Sequence, residues 1–291
     1  MSKSPDIIAA DQPSRPSLRK LKFSRDWITR PVFAVVLAFV VIAAIYGGTP
    51  YLAVVVAVAA FTAAREWQRI VGEGAAGPEL APTTLAIWLM LIAFLLWPHG
   101  IVPYVVLLCG TFLVLALSVT RRSRPLWRAG GVLYLGIPSL AILALRDTPP
   151  HGAWLIGALF AVVWATDTGA LVVGNLAGGP KLAPVLSPNK TWSGTIGGIV
   201  AAAIAEAVFI ALIGGHAGAA ALFGAALAVF AHAGDLFESW VKRRFHTKDS
   251  GGLIPGHGGV LDRIDSTLFA VVALEIAVFV FGLDPLFGAS P

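Results

Sequence analysis

Nine apolar stretches follow one another through the chain, at approximately 31–46, 50–64, 83–97, 101–119, 130–145, 152–174, 194–213, 217–235 and 266–282. This succession leaves little choice of fold, because a backbone inside a bilayer satisfies its N–H and C=O groups only in helices or closed barrels. Each stretch is predicted to be a helix. Several fall short of the ~20 residues that cross a ~30 Å hydrocarbon core, and residues 50–64 supply only about 22 Å of helix. Tilt, local thinning or flanking residues make up the difference. Only 13% of the residues are charged, against about 25% in soluble domains. The expectation is an all-α polytopic membrane protein of about nine transmembrane helices. Residues 1–30 form a flexible basic cytosolic tail and residues 31–291 a single helical membrane domain. That tail is longer than the basic region of a signal peptide, so the first span is read as uncleaved.

Charge fixes the expected orientation, since Lys and Arg accumulate in loops that remain cytosolic. With the N-terminus inside and nine spans, all but Arg146 of the 21 Lys and Arg residues fall on the cytosolic side. The outer connections, such as 47–50 and 214–218, are short and nearly uncharged. Removing one span would reverse the parity of everything after it. The C-terminus is therefore expected outside. The net charge of +5 then describes a face near anionic headgroups, and nucleic acid is not an expected partner. Cys109 is the only cysteine, which excludes an internal disulfide and a cysteine zinc cluster.

One stretch contrasts with this apolar scaffold. Residues 239–265, SWVKRRFHTKDSGGLIPGHGGVLDRID, hold five basic residues, three aspartates and two histidines among five glycines. Asp262 and Asp265 are three apart and share a face if the last helix begins there, while Asp235 ends the preceding span at the same surface. Three carboxylates at one depth suit a hard cation such as Mg²⁺, with phosphate and water completing its shell. Lys242, Arg243, Lys248 and Arg263 suit the same phosphates, and the glycines of PGHGG let backbone amides approach an anion. An ordinary solvated loop is the competing reading. His257 is a candidate acid, phosphate donor or loop hydrogen-bonder, whereas His232 is expected to be a packing residue and His246 to be solvated.

A companion stretch, KLAPVLSPNKTWSG at 181–194, lies on the same face by the charge argument. Pro184 and Pro188 break any continuous helix, and Ser187, Asn189, Lys190 and Thr191 offer donors for a phosphate or a nucleobase. A loop that caps the next helix through Ser193 explains the stretch nearly as well. Asp167, in WATDTGA, lies about 10 Å from the cytosolic end of its span. An acid at that depth is costly and marks a functional site by default. Glu206 and Glu275 sit nearer mid-span. The glycines at 194, 197, 198, 224 and 234 are expected to let helices approach closely.

P-loop, serine-hydrolase, HExxH and CxxC patterns are absent. The 239–265 stretch instead resembles the signature of the phosphatidate cytidylyltransferase (CDP-diacylglycerol synthase) family. That signature runs Ser, any residue, apolar, Lys-Arg, four free positions, Lys-Asp, then His-Gly-Gly, apolar, any residue, Asp-Arg, apolar, Asp. Ser239, Val241, Lys242, Arg243, Lys248, Asp249, His257, Gly258, Gly259, Val260, Asp262, Arg263, Ile264 and Asp265 match it. The likeness extends through GDLFES, SPNKTW, WATDTGA and LYLGIP and covers roughly 130–282, the expected catalytic portion. Ser193 departs from the acid that many members carry there, and GNLAGGP has fewer lysines than usual.

The resemblance implies transfer of a cytidylyl group from CTP to phosphatidic acid with Mg²⁺, giving CDP-diacylglycerol and pyrophosphate. Asp235, Asp262 and Asp265 are the implied metal ligands. Lys190, Lys242, Lys248 and Arg263 neutralise the triphosphate. Lys181, Ser187, Asn189, Thr191, Arg243, Asp249, His257, Gly258 and Gly259 contribute to substrate binding, and Asp167 lines the lipid-headgroup pocket. The expected setting is a bacterial inner membrane with the site on the cytosolic side and the bilayer supplying lipid; a homodimer is compatible with it. The alternative is a proton- or cation-coupled transporter using Asp167, Glu206 and Glu275, which leaves residues 239–265 without a role.

Overall fold

The computed structural model describes residues 26–282, except for 73, 75, 99, 248 and 252–257. Among these residues the expected helices are all present: α1 (Asp26–Gly47), α2 (Thr49–Val71), α3 (Leu80–Leu96), α4 (Val102–Thr120), α5 (Pro125–Arg146), α6 (Gly152–Ala177), α7 (Trp192–Leu212), α8 (Ala217–Arg244) and α9 (Leu261–Phe279). Six of them, α2 and α4 to α8, are long and apolar enough to cross a membrane. The stretch at 50–64 belongs to a 23-residue helix, about 34 Å long. Its apolar pattern stops early because Arg65, Glu66, Gln68 and Arg69 continue the helix with polar side chains. The nine-residue extension of α8 past 235 is similar. At about 42 Å, α8 outreaches a ~30 Å hydrocarbon core, and its last turns are the basic ones.

Helices α6, α7, α8 and α9 pack in sequence order, α2 to α5 form a second group, and α5 joins the two by packing on α9. Small residues set the crossings. A Cβ on Gly197 would meet Val173 at 2.4 Å, one on Gly198 the Thr166 carbonyl at 2.7 Å, and one on Gly224 the Glu206 Cβ at 2.6 Å. These close approaches are how membrane helices gain packing without a hydrophobic drive. Large apolar side chains such as Tyr51, Leu96, Phe112, Leu176 and Leu222 point outward and are exposed, the inverse of a water-soluble surface.

The all-helical expectation needs one addition. Residues 181–194 contain an antiparallel hairpin, β1 (Lys181–Ala183) with β2 (Ser187–Thr191), in which Lys181 pairs with Thr191 and Ala183 with Ser187. The ladder is irregular between these pairs, and Pro188, which has no N–H to give, falls in that interval. The helix cap is also corrected. Thr191, not Ser193, caps α7, its Oγ1 accepting the Gly194 amide at 3.1 Å. Ser193 donates instead to the Gly178 carbonyl, tying the helix start to the end of α6.

Candidate active site

The polar end of α8 meets the first turn of α9. Gly234 permits this, since a Cβ there would lie 2.4 Å from the Asp265 carbonyl oxygen. Lys242 Nζ donates to Glu238 Oε2 and to Asp262 Oδ1, each at 2.7 Å. The second oxygen of Asp262 accepts the amides of Gly259 at 3.0 Å and Ser250 at 3.3 Å. Asp262 lies ahead of the apolar run 266–282. Burial pushes its carboxyl up, but the bonds from Lys242, Gly259 and Ser250 outweigh burial and hold it at about 2. Asp265, one turn further on, is buried and accepts the Ser266 amide at 2.8 Å. It lies within reach of the charge of Asp235 and of a hydrogen bond with Glu238.

The hairpin brings a second group to the same place. Lys190, on β2, pairs with Asp235 on α8. Asp167, on α6, feels the charges of Asp235, Lys190 and Arg263. Four elements, α6, β2, α8 and α9, thus contribute one charged residue each to a single cluster of charges in which Asp167 and Arg263 remain exposed. Arg243 Nε donates to the Leu186 carbonyl at 3.3 Å and fastens α8 to the hairpin turn. His232 is buried with a ring nitrogen 3.3 Å from the Thr195 carbonyl, the packing role expected of it, and His246 is exposed.

The other expected site residues are placed unevenly. Lys181, Asn189 and Asp249 are exposed, and Ser187 is half-buried. Lys248 and His257 lie outside the described residues. Gly258 has φ +81°, and a Cβ on it would stand 3.1 Å from Asp262 Oδ2, so glycine is required there. The Gly259 amide is engaged by Asp262, which takes the place of an external anion. Asp262 and Asp265 are linked through Lys242 and Glu238, whereas Asp235 pairs with Lys190. Among the described residues no three acids or histidines gather as a metal-binding cluster. Glu206 packs on Gly224 with Oε2 unpartnered, and Glu275 lies near Tyr104.

Three buried polar residues escaped the sequence reading. Glu66 on α2 accepts the amides of Val260 at 3.0 Å and Leu261 at 2.7 Å and the Ser250 hydroxyl at 3.2 Å. Glu238 is 1% exposed and pairs with Lys242. Arg128 pairs with Glu79 at 3.1 Å and donates to Gln68 at 3.0 Å and to the Ala76 and Ser123 carbonyls. Glu66 and Arg128 lie outside any motif and gave no signal, whereas Glu238 lies within GDLFES; Glu66 differs from its neighbours only as an acid between arginines at 65 and 69.

Comparison with known proteins matches this architecture to one family. A phosphatidate cytidylyltransferase of Brucella suis is 46% identical over 157 residues, 54% of this chain and 57% of the relative. Proteins of the same name from Rickettsia bellii and Staphylococcus saprophyticus are 41% and 37% identical over 53% and 58% of this chain and 68% and 67% of their own. The match thus spans little more than half the length of the Brucella relative. The sequence model described as the cytidylyltransferase family matches residues 28–281, nearly all of the structure described above, and the chain belongs to that family.

Proposed function

We propose that the chain transfers the cytidylyl group of CTP to phosphatidic acid, giving CDP-diacylglycerol and pyrophosphate, at the cytosolic face of a bacterial inner membrane. The observation that carries the reading is the convergence of Asp167, Lys190, Asp235 and Arg263 in a chain whose family match extends over 28–281. A lipid phosphate oxygen attacks the α-phosphorus of CTP, the bond to the β-phosphate breaks, and pyrophosphate leaves with that electron pair. Two anions must be brought together and held in line, so the barrier falls through positioning and charge neutralisation. Lys190 and Arg263 supply positive charge beside Asp167, and Lys242 supplies it at the α8–α9 junction. An ionised phosphate needs no general base. Asp167, on the apolar helix α6, orients the lipid headgroup as it arrives laterally from the bilayer.

The residues fit a divalent cation. Asp235 and Asp265 act on one another as like charges, and the buried Tyr134 hydroxyl near them has no hydrogen-bond partner. Asp235 and Asp265, with Asp262 one turn away, are the oxygens that would hold Mg²⁺, which takes few ligands from protein and the rest from phosphate and water. When bound, Mg²⁺ neutralises charge across the phosphates. All nine helices are read as spans, with a cytosolic N-terminus and an outer C-terminus; the support is the six helices long and apolar enough to cross a membrane and the basic residues of the loops.

Purified protein in detergent, given labelled CTP, phosphatidic acid and Mg²⁺, should form CDP-lipid and stop when the cation is chelated. Asp235→Ala should abolish product without altering the unfolding temperature. A well-folded wild-type protein that forms no CDP-lipid would overturn the reading.

A further inference from the structure

We infer that Glu66 is a positioning residue for the proposed reaction: by holding Ser250 and the Val260 and Leu261 amides against α2, it sets where Asp262 and Asp265 stand. Three hydrogen bonds converge on this one carboxylate from residues 184 to 195 positions away. Glu66 is 4% exposed, so each bond forms without competing water. Two of the donors, the Val260 and Leu261 amides, open α9. Those groups have no partner within the helix, and a carboxylate at that end is favoured by the helix dipole.

The glycines support the same assignment. A Cβ on Gly259 would lie 1.9 Å from Ser250 Oγ and 2.6 Å from Glu66 Oε2; one on Gly251 would lie 2.6 Å from Glu66 Oε1. The backbone on either side of 252–257 is therefore pressed against the Glu66 carboxylate, with no room for a side chain between them. Asp262 grips the same two places from the other side, through the amides of Ser250 and Gly259. The hydrogen bonds of Glu66 run to Ser250, Val260 and Leu261, beside Asp262 and not to Asp167 or Lys190. Its effect belongs to the triphosphate half of the site and not to the lipid half.

In Glu66→Gln the side chain keeps its size, but its NH₂ must face a backbone N–H, so at least one bond becomes an opposed pair of donors. Gly251→Ala displaces the carboxylate by a different route and leaves it charged. Because the atoms that must move are the far end of a flexible side chain, this variant tests the idea if the first one folds poorly. This inference rests on the proposed function for its kinetic part only. Hydrogen exchange without substrates should show the Val260 and Leu261 amides exchanging about ten-fold faster in both variants, with the rest of α9 unchanged. Where turnover is measured, the Mg²⁺ requirement and the KM for CTP should rise about ten-fold, while the KM for phosphatidic acid stays put. Unchanged exchange at Val260 and Leu261 would overturn the inference. So would faster exchange with unaltered Mg²⁺ and CTP dependence, because Glu66 would then be only a staple. A wild-type protein with no activity would count against the reaction, and the exchange data would still decide whether Glu66 fixes the start of α9.

Discussion

Lys242 stands between two acids, its ammonium 2.7 Å from Glu238 on its own helix and 2.7 Å from Asp262 on the next. Glu238 is 1% exposed and Lys242 14%, so the group is largely shielded from water. Removing the cation leaves the acids facing each other without compensation. Lys242→Met is expected to destabilise the protein by about 3 kcal/mol, the lower end of the cost of breaking a buried pair. Thermal unfolding in detergent measures this. Adding Glu238→Gln should restore most of the lost stability and none of the activity, since Asp262 still lacks its counter-ion. Full recovery of both would mean that Lys242 serves the fold alone.

Gly234 offers a cleaner perturbation of geometry. An added methyl meets the Asp265 carbonyl at 2.4 Å and Phe269 Cβ at 3.1 Å, and backbone on a packed helix moves only by moving the helix. Gly234→Ala should cost about 1–3 kcal/mol through overpacking and shift the α9 carboxylates relative to α8, with a more than ten-fold loss of CDP-lipid formation as the measurement. Gly130→Ala is the matched control. Nothing lies within 4 Å of its added Cβ, and the variant should behave as wild type.

These contrasts mark how far the sequence is legible. The helices could be read because a bilayer demands continuous apolar helix, and Asp235, Asp262 and Lys190 stand out as charges beside spans. The ends of α2 and α8 were underestimated because apolar patterning stops at the membrane surface while the helix continues. The hairpin was hidden by two prolines whose effect depends on register, not on composition. Glu66 and Arg128 were hidden for another reason. The Glu66 partners lie 184 to 195 residues away and, Ser123 apart, those of Arg128 lie 49 to 60 away, and no local pattern carries a contact across that distance. Thr191 and Ser193 are equivalent as candidate caps until the backbone shows which hydroxyl faces the Gly194 amide.

Arg128 tests this hidden group. Its guanidinium serves Glu79, Gln68, Ala76 and Ser123 together, a spread that a single ammonium cannot cover. Arg128→Lys should therefore lose nearly as much stability as Arg128→Met, about 3 kcal/mol or more. Activity per folded molecule should be unchanged, because none of these residues belongs to the cluster of charges around Asp235. A folded but inactive variant would show that the group serves catalysis.

The pair formed by Lys190 and Asp235 should behave in the opposite way. Its side chains are 23% and 29% exposed, and pairs with that much access to solvent contribute about 0–1 kcal/mol. Lys190→Met is accordingly expected to unfold within about 2 °C of wild type. Its chemical role is larger if the lysine leaves Asp235 to neutralise the triphosphate and Asp235 is then free for the cation. Loss of a charge that acts mainly on the transition state lowers kcat more than it raises KM. A fall of about a hundred-fold in kcat, with a weaker salt dependence of CTP binding, is the expected outcome in the detergent assay. Lys190→Arg keeps the charge but on a broad planar fork beside a carboxylate fitted to a point charge, so it should recover only part of the rate. Wild-type turnover in Lys190→Met would remove the hairpin from the active site and leave Asp235 paired for structural reasons alone.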